Sequence, residues 1–150
     1  LASFTNADRI NLSGSWKLNE AKSEFGEFGP RFAASKIKVD QKSDAISISK
    51  TSRNFEDQEV TATETVGFDG KPAESTLFGS SKRKSVAKWS ADGQTLNIDF
   101  TLYFDFNGET MEIPGKEVCT ISNGGKTLSL QTTSSTPQGD ITTKAVYDKE

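Results

Sequence analysis

The chain has 150 residues, 33% hydrophobic and 26% charged, with 18 basic against 21 acidic side chains for a net charge of −3. That length holds one well-buried core, the charge gives no basic footprint for nucleic acid, and no run reaches the roughly 20 apolar residues a membrane-spanning helix needs. With no histidine and one cysteine, the chain can build neither a Ser–His nucleophile nor a multi-cysteine zinc site, so no metal and no cofactor is expected.

Residues 1–10 read as an N-terminal extension, and a first strand opens around Ser13-Gly14-Ser15-Trp16-Lys17-Leu18. Residues 20–33 break the pattern that follows: Gly26, Gly29 and Pro30 prevent a long helix, so one helical turn and an ordered loop are expected. That loop holds Phe25, Phe28 and Phe32, three of the ten phenylalanines, so it covers something apolar: a plug on the barrel end or a lid over a ligand.

From residue 36 onward apolar and polar residues alternate, the mark of half-buried strands whose side chains point to opposite faces. Ile37 and Val39 form one strand and Ile46 and Ile48 the next, turned at Ser43-Asp44. Val60, Ala62, Glu64 and Val66 share one face of a further strand, which ends at Asp69-Gly70, where another hairpin is expected. Residues 82–90 form a shorter strand around Val86 and Trp89, closed by Asp92-Gly93. Leu96, Ile98, Phe100, Leu102, Phe104 and Phe106 then fall on one parity of a strand roughly 35 Å long, ended by Asn107-Gly108. Residues 109–122 continue as a strand in which Pro114-Gly115 predicts a bulge or bend. Leu128 and Leu130 carry the next strand, and Ile141 to Tyr147 the last.

Turns recurring between sequence neighbours describe an antiparallel meander, and closure into a barrel of about 8–10 strands is the simplest way to leave no exposed edge. The fold class is therefore an all-β up-and-down barrel occupying residues 1–150 as one domain, with a β-sandwich the competing architecture. At Gly14-Ser15-Trp16 the sequence resembles the G-x-W start of the calycin superfamily, which includes lipocalins, fatty-acid-binding proteins and avidins. The resemblance implies a Trp16 packed across the closed barrel end beneath a cation of the last strand, for which Lys144 is the candidate. The T-D-Y motif of lipocalins is absent, and the Arg-x-Tyr carboxylate clamp of fatty-acid-binding proteins falls on Ala145 and Tyr147. The chain looks most like a bacterial lipocalin-like domain.

Among chemistry-bearing residues, Glu64 stands out because it shares a face with Val60, Ala62 and Val66. Pointing inward it would be a polar anchor in an apolar cavity with a raised pKa; on a bulged strand it would be solvated. Cys119 has no imidazole to activate it and reads as a packing residue. Lys82-Arg83-Lys84 reads as a charged strand edge, or as a patch for an anion. The expected activity is non-catalytic binding of a small hydrophobic molecule, with Phe100, Leu102 and Phe104 lining the hollow, Phe25 and Phe28 covering it and Glu64 inside. The alternative is a filled barrel that serves as a protein–protein interaction module. Leu1 in place of an initiator Met and the Ser/Thr-rich composition lead to the expectation of an extracytoplasmic protein, periplasmic or secreted.

Overall fold

A computed structural model describes residues 9–26, 29–30, 33–54, 56–78 and 80–150. Ten antiparallel strands run in chain order: β1 Gly14–Leu18, β2 Lys36–Gln41, β3 Ala45–Arg53, β4 Glu59–Gly67, β5 Ala73–Phe78, β6 Ser81–Trp89, β7 Thr95–Phe106, β8 Glu109–Ser122, β9 Thr127–Thr136 and β10 Gly139–Lys149. They form one sheet in the order β4-β3-β2-β1-β10-β9-β8-β7-β6-β5. The first strand is stitched to the last, with Trp16 opposite Lys149 and Leu18 opposite Tyr147, so the meander curls into a barrel. The Asn107-Gly108 pair turns β7 into β8 with both residues at positive φ, 51° and 80°, the twist a two-residue hairpin loop requires.

The barrel is nearly rather than fully closed. β4 and β5 run side by side, but among the described residues no ladder joins them. A hairpin is thus not formed at Asp69-Gly70. The Asp69 carboxylate instead accepts the Lys71 amide at 3.0 Å, and Pro72 at the mouth of β5 has no N–H to give a ladder. Strand β5 itself escapes the sequence pattern because its inward parity, Ala73, Ser75 and Leu77, holds a single large apolar residue.

The bulge expected at Pro114-Gly115 is also absent. The β7–β8 register runs unbroken through Thr101 opposite Pro114 and Phe100 opposite Gly115, and the β8–β9 ladder begins only at Gly115, so the proline stands where no β9 partner is lost. Gly115 is there for space: a Cβ would collide with the Phe100 ring and the Thr133 carbonyl. The register shift of the sheet lies instead between Thr76 and Phe78, against β6.

Alternation along the strands divides the interior into layers. Trp16, Ile37, Ile46, Val66, Ala87, Leu96, Ile98, Cys119, Leu128 and Tyr147 pack into an apolar core at one end. Trp16 is fully buried and donates its indole N–H to the Leu12 carbonyl at 3.0 Å, which seals that end. The segment before β2 is tied to the last strand. It includes the 3₁₀ turn Glu20–Lys22, capped by Asn19; Val146 donates its amide to Ser23 Oγ at 2.9 Å, and the Tyr147 hydroxyl donates to the Ala34 carbonyl at 2.8 Å.

The cation over Trp16 is Lys149, its ammonium 5.6 Å from the ring, not Lys144. In the β1–β10 register Lys149 sits directly opposite Trp16, whereas Lys144 falls on the other parity and is exposed. Replacing Lys149 by Ala is expected to cost about 0.5–1 kcal/mol of stability in chemical denaturation, while Lys144→Ala should stay within about 0.5 kcal/mol of the parent.

Candidate ligand-binding site

One layer beyond the apolar core, the same parities deliver charges to the interior. On β3 the run Ile46, Ile48 continues to Lys50; on β4 Val66 is followed inward by Glu64; on β6 Ala87 leads to Ser85 and Arg83; on β8 Cys119 leads to Glu117. The barrel brings these four strands together around one ion cluster. Lys50 Nζ donates to Glu117 Oε2 at 2.7 Å, Arg83 Nη2 donates to Glu117 Oε1 at 3.5 Å, and Arg83 Nε lies 3.2 Å from Glu64 Oε2. Ser85 completes the link, accepting from Arg83 Nε at 3.0 Å and donating to Glu64 Oε2 at 2.8 Å. The guanidinium also lies over the Phe100 ring, 4.4 Å from its centre, and that ring occupies the space Gly115 leaves. Buried charges are tolerated only when paired and hydrogen-bonded in this way.

Two hollows adjoin the cluster. The larger, about 400 Å³, is walled by Phe25, Leu130, Ile141, Ala145 and Tyr147, with Glu117 at its base. The smaller, about 150 Å³, is walled by Ile48, Val60, Ala62 and Leu77 beside the β4/β5 gap, with Glu64 and Arg83 at its base. Ala34 and Lys50 border both. Of the paired cluster side chains, Arg83, Glu64 and Glu117 are at most 10% exposed, while Lys50 is 24% exposed, the most open of the four. No group of three or more metal-ligating side chains occurs among the described residues.

The residues singled out by sequence scatter across this arrangement. Phe25 lines the larger hollow and Glu64 the smaller; Glu64 points inward but is paired with Arg83 rather than standing alone. Phe28 lies outside the described residues. Phe100, Leu102 and Phe104 line neither hollow. Phe100 is buried behind the Arg83 guanidinium, and Leu102 and Phe104 continue its parity half-buried toward the far end of β7. Arg83 is not part of an outer basic edge. Only Lys82 and Lys84 are exposed; strand alternation turns the residue between them inside. Lys50 and Glu117 are not singled out by the sequence, although each sits on an apolar parity as Glu64 does, and Arg83 stands out only as part of the Lys82-Arg83-Lys84 patch.

Burial by itself would raise the Glu117 carboxyl, but the Lys50 ammonium and Arg83 guanidinium outweigh it and hold Glu117 at about 2. Burial, with Glu117 adding to it, pushes the Cys119 thiol well above its ordinary range, so it stays protonated as a packing residue. A carboxylate depressed in the folded state contributes stability above its unfolded pKa of about 4.3 and loses it as pH falls toward the folded value. The parent should therefore lose a few kcal/mol between about pH 4.3 and about pH 2. Glu117→Gln should be less stable by about 3–5 kcal/mol at neutral pH, because it leaves buried cations short of a partner, and flatter across that acid window in denaturation followed by circular dichroism.

No family model matches the chain, and no curated protein matches it. Among solved structures the chain is similar to zebrafish ileal bile acid-binding protein complexed with cholic acid, with a TM-score of 0.54 and 16% identity over 92% of this chain and 98% of that one. The likeness speaks for the fold alone: a ten-stranded, nearly closed antiparallel barrel.

Proposed function

We propose that this protein binds a small hydrophobic molecule inside the barrel and does not alter it chemically. The observation that carries the reading is the pair of hollows that share Lys50 and Ala34 on their walls, the larger also walled by Phe25. The larger hollow falls within the roughly 300–1,000 Å³ of small-molecule sites, and its apolar walls with a few converging polar groups match their usual make-up. Hollows of this size favour interior binding over a filled barrel acting only through its outer face. The bile-acid complex of a protein with the same fold points the same way.

In this reading Phe25 and the walls formed by Leu130, Ile141 and Ala145 contact the apolar body of the ligand, and Lys50 meets its polar end. Phe100 acts from behind by holding Arg83, and Glu64 by neutralising it. Titration with the uncharged fluorophore Nile red should give saturable enhancement at one equivalent. Thr132→Phe, which projects a ring into the larger hollow from β9, should weaken it by more than about tenfold, about 1.4 kcal/mol, with little change in melting temperature. Unsaturable enhancement, or equal affinity in the filled variant, would refute interior binding.

A further inference from the structure

We infer that the hollow selects uncharged, oxygen-bearing lipophiles over anionic ones of the same size; this rests on interior binding as proposed above. Charge balance carries the inference. Among the described residues, the ionisable groups bordering the two hollows, apart from Tyr147, are Lys50, Arg83, Glu64 and Glu117, two cations and two carboxylates whose charges sum to zero. Each cation is already in contact with a carboxylate, Lys50 and Arg83 with Glu117 and Arg83 with Glu64. A ligand carboxylate entering beside Lys50 would shed its water and find no unmatched positive charge, while Glu117 repelled it at close range. The last strand adds no cation, since its residues on the wall of the larger hollow are Ile141, Thr143, Ala145 and Tyr147.

A neutral oxygen meets no such obstacle. Lys50 carries three N–H donors, of which Glu117 takes one, and its side chain borders both hollows. An alcohol, ketone or ester oxygen can accept from a remaining donor without bringing charge. Thr132 and Thr143 on the wall of the larger hollow offer hydroxyls to the same kind of group. The depressed pKa of Glu117 keeps the cluster balanced throughout the neutral range.

The test pairs dodecan-1-ol with dodecanoate as competitors for Nile red bound to the intact protein at neutral pH. The alcohol is expected to displace the dye at a concentration lower by at least about tenfold. Glu64→Gln and Glu117→Gln each leave one cation in excess, so whichever variant retains its fold by circular dichroism should shift the preference toward dodecanoate. The comparison in the parent protein stands even if neither variant folds. Dodecanoate displacing the dye as well as the alcohol does, or better, overturns the inference and leaves interior binding intact. Displacement by neither lipid also overturns it, and failure to bind Nile red at all removes the binding reading beneath it.

Discussion

A charge inside a protein must find an opposite charge within reach, and in this barrel that requirement organises half of the interior. Lys50 and Glu64 come from the neighbouring strands β3 and β4 at one end of the sheet order, Glu117 and Arg83 from β8 and β6 toward the other. They meet only because the sheet curls. Their pairing stabilises nothing in excess of what well-packed apolar residues would. Its consequence is positional: once one carboxylate is fixed between two cations, the registers of β3, β6 and β8 cannot slip by a residue without turning charge into the apolar core or out into solvent.

The hollow follows from the same layer. At the Trp16 end, large apolar side chains fill the cross-section. Where the charges begin, the inward residues on the remaining strands become small, as with Ala62, Thr132, Thr143 and Ala145. Paired charges held in fixed geometry beside small residues leave space that the apolar end lacks. The unpaired flank between β4 and β5 borders the smaller part of this space, and the segment anchored through Ser23 and Tyr147 to β10 borders the larger. Fold, vacancy and polarity are thus three results of one alternating pattern read along ten strands.

Alternation made the barrel legible from sequence because each strand of a half-buried sheet must keep its apolar parity, and most strands here do so without interruption. It failed for β5, where Ser75 interrupts the apolar parity, and at Pro114, where the missing donor matters only if a neighbouring strand is present to receive it. The site was harder. Glu64 was found because three apolar residues share its parity; Lys50 and Glu117 obey the same rule after Ile46, Ile48 and before Cys119, Ile121, and could have been found by applying it to every strand. Arg83 could not be found so readily, because Lys82 and Lys84 disguise it as surface charge. Which end of β7 faces the hollow was beyond the pattern altogether: Phe100, Leu102 and Phe104 share one parity, and only the opposing Gly115 and Arg83 decide that Phe100 is a support rather than a wall.

The account stands on Lys50 and Glu117 meeting inside the barrel, and a double-mutant cycle with Lys50→Met and Glu117→Gln, read by equilibrium denaturation, addresses that contact without reference to any ligand. Residues in one buried network are expected to show a coupling energy above about 1 kcal/mol, the double variant being far less damaged than the two single losses added together. Losses that sum within about 0.3–0.5 kcal/mol would mean the two side chains do not touch, and the polar layer described here would not exist.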